Sequence, residues 1–111
     1  MKMRCAIYTR VSTSEQKTAN QLLDLEEVIE RNKWEVVEFY DEVVSGTKGV
    51  DERYELKRML LDARRKKFDR LIIWDISRLG RNLKNIIGVL SELQDLNITV
   101  FSYKQGLDSA T

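Results

Sequence analysis

The sequence predicts an α/β fold: a three-layer sandwich with helices on both faces of a mostly parallel sheet of about four strands. Two observations carry this. Short apolar runs alternate with longer stretches of helical periodicity along the 111 residues, the pattern of consecutive βαβ units. The stretches between the apolar runs are also long enough to hold the crossover helix that parallel neighbours require. There is no internal repeat, no low-complexity tract and no proline to interrupt the pattern.

Arg4 to Thr9 reads as the first strand. Thr13 with Gln16 then forms a capping-box pattern, in which a hydroxyl and a side-chain amide satisfy orphan backbone N–H groups at a helix start. Leu22, Leu25, Val28 and Ile29 recur behind it at helical spacing. Trp34 to Tyr40 alternates as a second strand. Asp41 to Asp51, with Gly46 and Gly49, reads as a loop of about ten residues, long for a compact domain. Leu56, Met59, Leu60 and Ala63 mark a second helix, and Leu71 to Trp74 a short, fully apolar strand. Leu83, Ile86, Ile87, Leu90 and Leu93 form a third helical face, and Ile98 to Tyr103 the last strand.

The length suits one domain with its own core. The composition, 42% hydrophobic and 33% charged, is that of a soluble globular chain rather than a membrane or disordered one. No apolar run approaches the ~20 residues of a membrane span, and the N-terminus lacks the apolar region and cleavage site of a signal peptide. Cys5 is the single cysteine, so no disulfide framework is available and a reducing, cytoplasmic setting fits. Histidine is absent, which excludes a Ser-His-Asp triad and argues against a zinc site; no metal is expected.

The net charge of +1 conceals an asymmetry. Asn20 to Val43 holds 8 acidic and 2 basic side chains, whereas Lys57 to Lys84 holds 10 basic and 3 acidic ones. A basic half beside an acidic half suits a polyanion on one face. Within it, Arg64, Arg65, Lys66 and Lys67 are candidate DNA contacts; the plainer reading is a solvated helix end whose cations complement the macrodipole.

Chemistry concentrates at two strand ends. Tyr8-Thr-Arg10-Val-Ser12 puts a hydroxyl two residues from an arginine, and Ser77-Arg78-Leu-Gly80-Arg81 puts two arginines just past the third strand. Ligands of open α/β sheets bind outside the carboxyl ends of the strands. Arg10 and Ser12 after the first strand, Ser45 after the second, and Arg78 and Arg81 after the third should therefore converge on one edge. A guanidinium is a permanently charged fork that matches phosphate oxygens bidentately, so arginines gathered round one serine suggest attack on a phosphodiester. Each residue also has an ordinary reading: Ser12 as a helix cap, Arg78 and Arg81 as surface ion-pair formers, Gln16 and Gln21 as helix decoration, Ser45-Gly46 as a turn.

In this order and spacing, Tyr8-Thr-Arg10-Val-Ser12-Thr13 with Gln16 and Gln21, Ser45-Gly46, Arg53 ahead of Glu55-Leu56, and Arg78-Leu-Gly-Arg81 resemble the catalytic domain of the serine recombinases, the resolvase and invertase family. The pieces cover nearly the whole chain; each is weak alone, and together they are specific. The resemblance implies a resolvase-like sheet and a site-specific DNA recombinase with Ser12 as nucleophile. It places Arg10, Arg53, Arg78 and Arg81 around the scissile phosphate, with Gln16, Gln21, Ser45 and Ser77 in support. It implies DNA as partner, homodimers and homotetramers of the full-length parent, and no cofactor.

Two departures stand out. Related recombinases often carry an aspartate immediately before the first arginine of the third-strand motif, where this chain has Ser77; Asp75 lies two residues upstream and on a strand would share its face. The chain also ends at Thr111, before the family's dimerisation helix and any DNA-reading domain, so residues 1–111 are expected to be a catalytic domain alone. Two alternatives come from other classes. One is a phosphate-binding regulatory module, which would want the G-x-G-x-x-G or P-loop pattern that this chain lacks. The other is a catalytically idle DNA-binding or interaction fragment.

Overall fold

The computed structural model describes residues 3–12, 18–44, 54–80 and 82–109, with residues 11, 12, 18–20, 43 and 44 described through their backbone only. Its elements are β1 (Arg4–Ser12), α1 (Thr18–Asn32), β2 (Glu35–Val44), α2 (Tyr54–Arg64), β3 (Arg70–Ile73), a 3₁₀ turn (Ile76–Leu79), α3 (Leu83–Asp95), β4 (Thr99–Ser102) and β5 (Leu107–Asp108). The sheet order is β2-β1-β3-β4-β5. The first four strands run parallel, and β5 returns antiparallel beside β4.

Strand alternation divides the core in two. Ala6, Tyr8, Tyr40, Leu71, Ile73 and Val100 face α2 and α3, packing with Leu56, Met59, Ala63 and Leu93. Cys5, Ile7 and Ile72 face the other way, onto Leu25 and Ile29 of α1, with Trp34, Phe39, Trp74 and Phe101 around them. Parallel strands buried on both faces read as continuous apolar runs, which is why Leu71-Ile72-Ile73 has no polar alternation. All three helices close on residues with positive φ (Lys33 at 57°, Lys66 at 56°, Asn97 at 60°), the left-handed cap that frees the chain to turn back toward the sheet.

The expected order of elements is present, with four corrections. The sheet has five strands rather than about four: β5 is two residues long, too short to leave a periodic signal. It is held by Arg70 Nη1 on Asp108 Oδ1 at 2.8 Å and by Ser109, which exchanges bonds of 2.7 and 2.9 Å with the Val100 backbone. Second, β1 reaches Ser12 rather than ending at Thr9, so Arg10 and Ser12 belong to the strand instead of following it. Third, Asp41 to Val44 extend β2 and are not loop. Thr9 Oγ1 donates to Asp41 Oδ1 at 2.9 Å across the pair, and Glu42 is buried because its carboxylate has donors waiting for it. Fourth, α3 meets the core through Val89, Leu90 and Leu93, while Leu83 and Ile87 stand 71% and 52% exposed.

One asymmetry of the sheet sets up the site. β1 pairs with β2 along its full length, from Arg4 to Ser12, but with β3 only from Cys5 to Tyr8. Past Tyr8, β1 and β2 continue as a two-stranded ribbon beyond the end of β3.

Candidate active site

The ribbon carries the first group of site residues. Arg10 lies opposite Glu42 and Ser12 opposite Val44. Arg10 is half-buried, and its Nε–H is enclosed with no hydrogen-bond partner among the described residues. Next to it, Glu42 is only 3% exposed. Its Oε1 accepts from the Tyr8 hydroxyl at 3.0 Å and from Leu56 N–H at 3.1 Å, and its Oε2 from Glu55 N–H at 3.0 Å.

Those two amides belong to the first turn of α2, whose N–H groups have no partner inside the helix. A capping side chain normally supplies the acceptor from the residue just before the helix. For Glu55 and Leu56 the acceptor comes from across the fold, from Glu42 of β2. The negative charge also complements the positive end of the helix. Glu42 thus ties the ribbon to the start of α2. Sequence reasoning missed it, assigning Asp41 onward to a loop; the signal was parity, since Glu42 continues the face of Tyr8-opposed Tyr40.

The second group lies past β3. The 3₁₀ turn Ile76–Leu79 is capped by Asp75, whose Oδ1 accepts from Ser77 N–H at 2.9 Å while its carbonyl accepts from Arg78 N–H at 3.0 Å. Asp75 therefore has extended geometry and Ser77 sits in the turn, so the two do not share a strand face as the sequence suggested. Burial opposes ionisation of Asp75, but the Ser77 N–H, the Gln105 amide and the nearby Lys104 outweigh it and hold the carboxyl below its ordinary range. The carboxylate anchors the turn through the Ser77 N–H. Arg78 is half-buried in this turn and Ser77 is exposed. Gly80 follows, where a β-carbon would come within 2.7 Å of Asn85 Cβ and Ile86 N, so α3 starts tight against the turn.

The parallel sheet thus brings Arg10, Ser12 and Arg78 to its carboxyl edge. Gln21 is half-buried on α1, and its Oε1 is enclosed without a hydrogen-bond partner among the described residues. Gln16, Ser45, Arg53 and Arg81, and the Thr13 cap, lie outside the described residues. The basic run is placed elsewhere: Arg4, at the start of β1, donates to Lys66 O at 3.1 Å, which puts residues 64–67 at the amino edge. That edge is about 26 Å along β1 from Ser12 at a strand's rise of roughly 3.3 Å per residue. Arg64 there pairs with Glu92 at 2.5 Å, Lys67 with Asp62 at 3.5 Å, and Lys66 donates to Leu96 O. The structure does not bring this run to the site.

Comparison with known proteins decides the family. The profile described as "Resolvase, N terminal domain" matches residues 5–111. The chain belongs to the resolvase family. Among curated relatives of this resolvase-family chain, a protein named DNA-invertase from Escherichia phage P1 is 34% identical over 104 residues, 94% of this chain and 50% of the relative. Among solved structures, a resolvase family site-specific recombinase from Streptococcus pneumoniae superposes with a TM-score of 0.85 at 26% identity, covering 99% of this chain and 78% of that one. The N-terminal catalytic domain of TP901-1 integrase does so with a TM-score of 0.82 at 26% identity, covering 97% and 82%. The resolvase-family chain spans about half the length of the curated relatives it matches. Among its described residues, no helix is long and apolar enough to cross a membrane.

Proposed function

We propose that this chain is the catalytic domain of a site-specific DNA recombinase, with Ser12 as nucleophile and Arg10, Arg53, Arg78 and Arg81 as the groups that hold the scissile phosphate. The observation that carries the reading is the meeting of two strand ends. The Ser12-bearing ribbon, whose Arg10 Nε–H has no hydrogen-bond partner among the described residues, and the turn that carries Arg78 occupy one edge of a resolvase-family sheet. In the reaction, the bond from Ser12 Oγ to phosphorus forms as a phosphorus–deoxyribose oxygen bond breaks. The proton given up by the serine balances the one taken by the leaving hydroxyl. The phosphoserine conserves the energy of the broken bond, so attack by a new deoxyribose hydroxyl rejoins DNA. Charge growing on the non-bridging oxygens is met by fixed guanidinium donors, usually the largest catalytic contribution.

We further propose that the full-length parent works as dimers and tetramers on DNA. The test uses the full-length protein and a suicide substrate bearing its own site, with a gel for the covalent adduct. Ser12→Ala should abolish the adduct and leave DNA binding nearly intact, because one hydroxyl contributes little to binding. Arg78→Ala should slow adduct formation by about 10²-fold. An undiminished adduct from Ser12→Ala would refute the assignment.

A further inference from the structure

The 3₁₀ turn that carries Arg78 is only four residues long, and 3₁₀ hydrogen bonds are poorer in geometry than those of an α-helix. It is held from outside by the turn between β4 and β5. Tyr103 N–H donates to Ile73 O at 3.0 Å and Lys104 N–H to Trp74 O at 2.8 Å, and the Tyr103 and Trp74 rings stack at 4.7 Å. Gln105 completes the join. Its Nε2 donates to Asp75 Oδ1 at 2.9 Å, and its Oε1 accepts from Ile76 N–H at 3.2 Å and from the Ser102 hydroxyl. A carboxylate can only accept and an N–H can only donate, so the amide has one workable orientation. Gly106, at φ 62°, lets the chain turn back immediately afterwards.

We propose that Gln105 is a positioning residue for the recombinase reaction, a clamp that sets the aim of Arg78 by fixing Asp75 and the first amide of the turn. The inference rests on the proposed role of Arg78 at the scissile phosphate. Its chemistry is specific to an amide of this length. One side chain must donate to Asp75 and accept from Ile76; an ionised glutamate cannot donate, and leucine can do neither. Gln105 is exposed and outside both cores, so replacing it leaves the fold standing.

That specificity gives a test in the full-length protein. Adduct formation is measured in single turnover at saturating DNA for wild type, Gln105→Leu and Gln105→Glu from about pH 8.5 to about pH 4.5. DNA affinity and backbone hydrogen exchange at Ile76 and Ser77 are measured alongside. Both variants should cleave about tenfold or more slowly near pH 8, as displaced catalytic groups do, with DNA affinity unchanged. Relative to wild type, Gln105→Glu should recover as the pH falls, since a protonated Glu side chain again donates to Asp75. Gln105→Leu should not recover. Besides Asp75, the charged groups facing the clamp are Lys104, whose Nζ is 3.8 Å from Asp75 Oδ2, and Arg78 on the turn itself. If wild type forms a Ser12-dependent adduct and both variants match it at every pH, the clamp is refuted while the recombinase reading stands. If Ser12→Ala still forms adduct, the recombinase reading fails. Exchange at Ile76 and Ser77 then decides the clamp alone: faster exchange in Gln105→Leu supports it, and unchanged exchange overturns it.

Discussion

Removing the Glu42 carboxylate should cost this domain a large share of its stability. The three bonds it accepts are not equivalent: those from Leu56 N–H and the Tyr8 hydroxyl are buried, whereas that from Glu55 N–H is partly open to water. In Glu42→Ala the Leu56 amide loses its acceptor inside the fold, at about 1–3 kcal/mol. Loss of the Tyr8 bond adds about 1 kcal/mol, and loss of negative charge at the start of α2 a further ~0.5 kcal/mol. Glu55 N–H turns to water at little cost. The total is about 3 kcal/mol, against the ~5–15 kcal/mol that holds a domain of this kind together. Urea titration followed by circular dichroism at pH 7 measures it, with a fall in Tm of about 10 °C or more alongside. Glu42→Gln keeps one acceptor oxygen and should lose less, about 1–2 kcal/mol. A cycle with Tyr8→Phe should show coupling of about 1 kcal/mol, since the two side chains share a bond. A loss below about 1 kcal/mol for Glu42→Ala, with the denaturant slope unchanged, would refute the claim that this carboxylate caps α2.

Gly80→Ala should destabilise by about 1–3 kcal/mol in the same titration, because the added carbon meets the backbone of α3 at 2.7 Å and not a yielding side-chain tip; a change within about 0.5 kcal/mol would mean the junction has slack. The Cys5 thiol is pushed up to about 12, chiefly by burial, with Arg70 opposing and Asp69 adding to the rise. It should therefore resist thiol reagents at pH 8 until the protein is unfolded, as a time course in and out of urea would reveal. Asp75 has a lowered folded pKa, so its contribution to stability is complete above its unfolded value near 3.8 and is lost as the pH falls through the folded one. Stability measured from pH 5 down to 2 should fall less steeply for Asp75→Asn than for wild type; identical slopes would show that the carboxylate is not held by the turn.

The strands and helices were legible because burial on both sheet faces forces apolar runs such as Leu71-Ile72-Ile73, and a helix on one face forces spacing such as Leu22, Leu25, Val28, Ile29. What escaped depended on partners distant in sequence. Asp41-Glu42 looks like the start of a loop until the first turn of α2 arrives over it with two unpaired amides. Gln105 has no local mark at all, since its partners Asp75 and Ile76 lie in another turn. The place of the basic run was hidden for a related reason: four consecutive cations do not announce which end of the sheet they occupy, and Arg4, Glu92 and Leu96 put it at the amino edge. Arg10, Ser12 and Arg78 were legible because strand ends in a parallel sheet share an edge.

The ribbon beyond Tyr8 has a mechanical consequence. Up to Tyr8, β1 is clasped between two neighbours; from Thr9 to Ser12 its only strand partner among the described residues is β2, while Arg78 stands past the end of β3. Two-stranded ribbons twist more than strands held on both sides, so this is the compliant joint between the two halves of the edge. Hydrogen exchange along β1 should fall into two regimes, with protection near the global value through Tyr8 and a step down after it. The nucleophile proposed above, Ser12, thus stands on a stretch of β1 that pairs with β2 and not with β3.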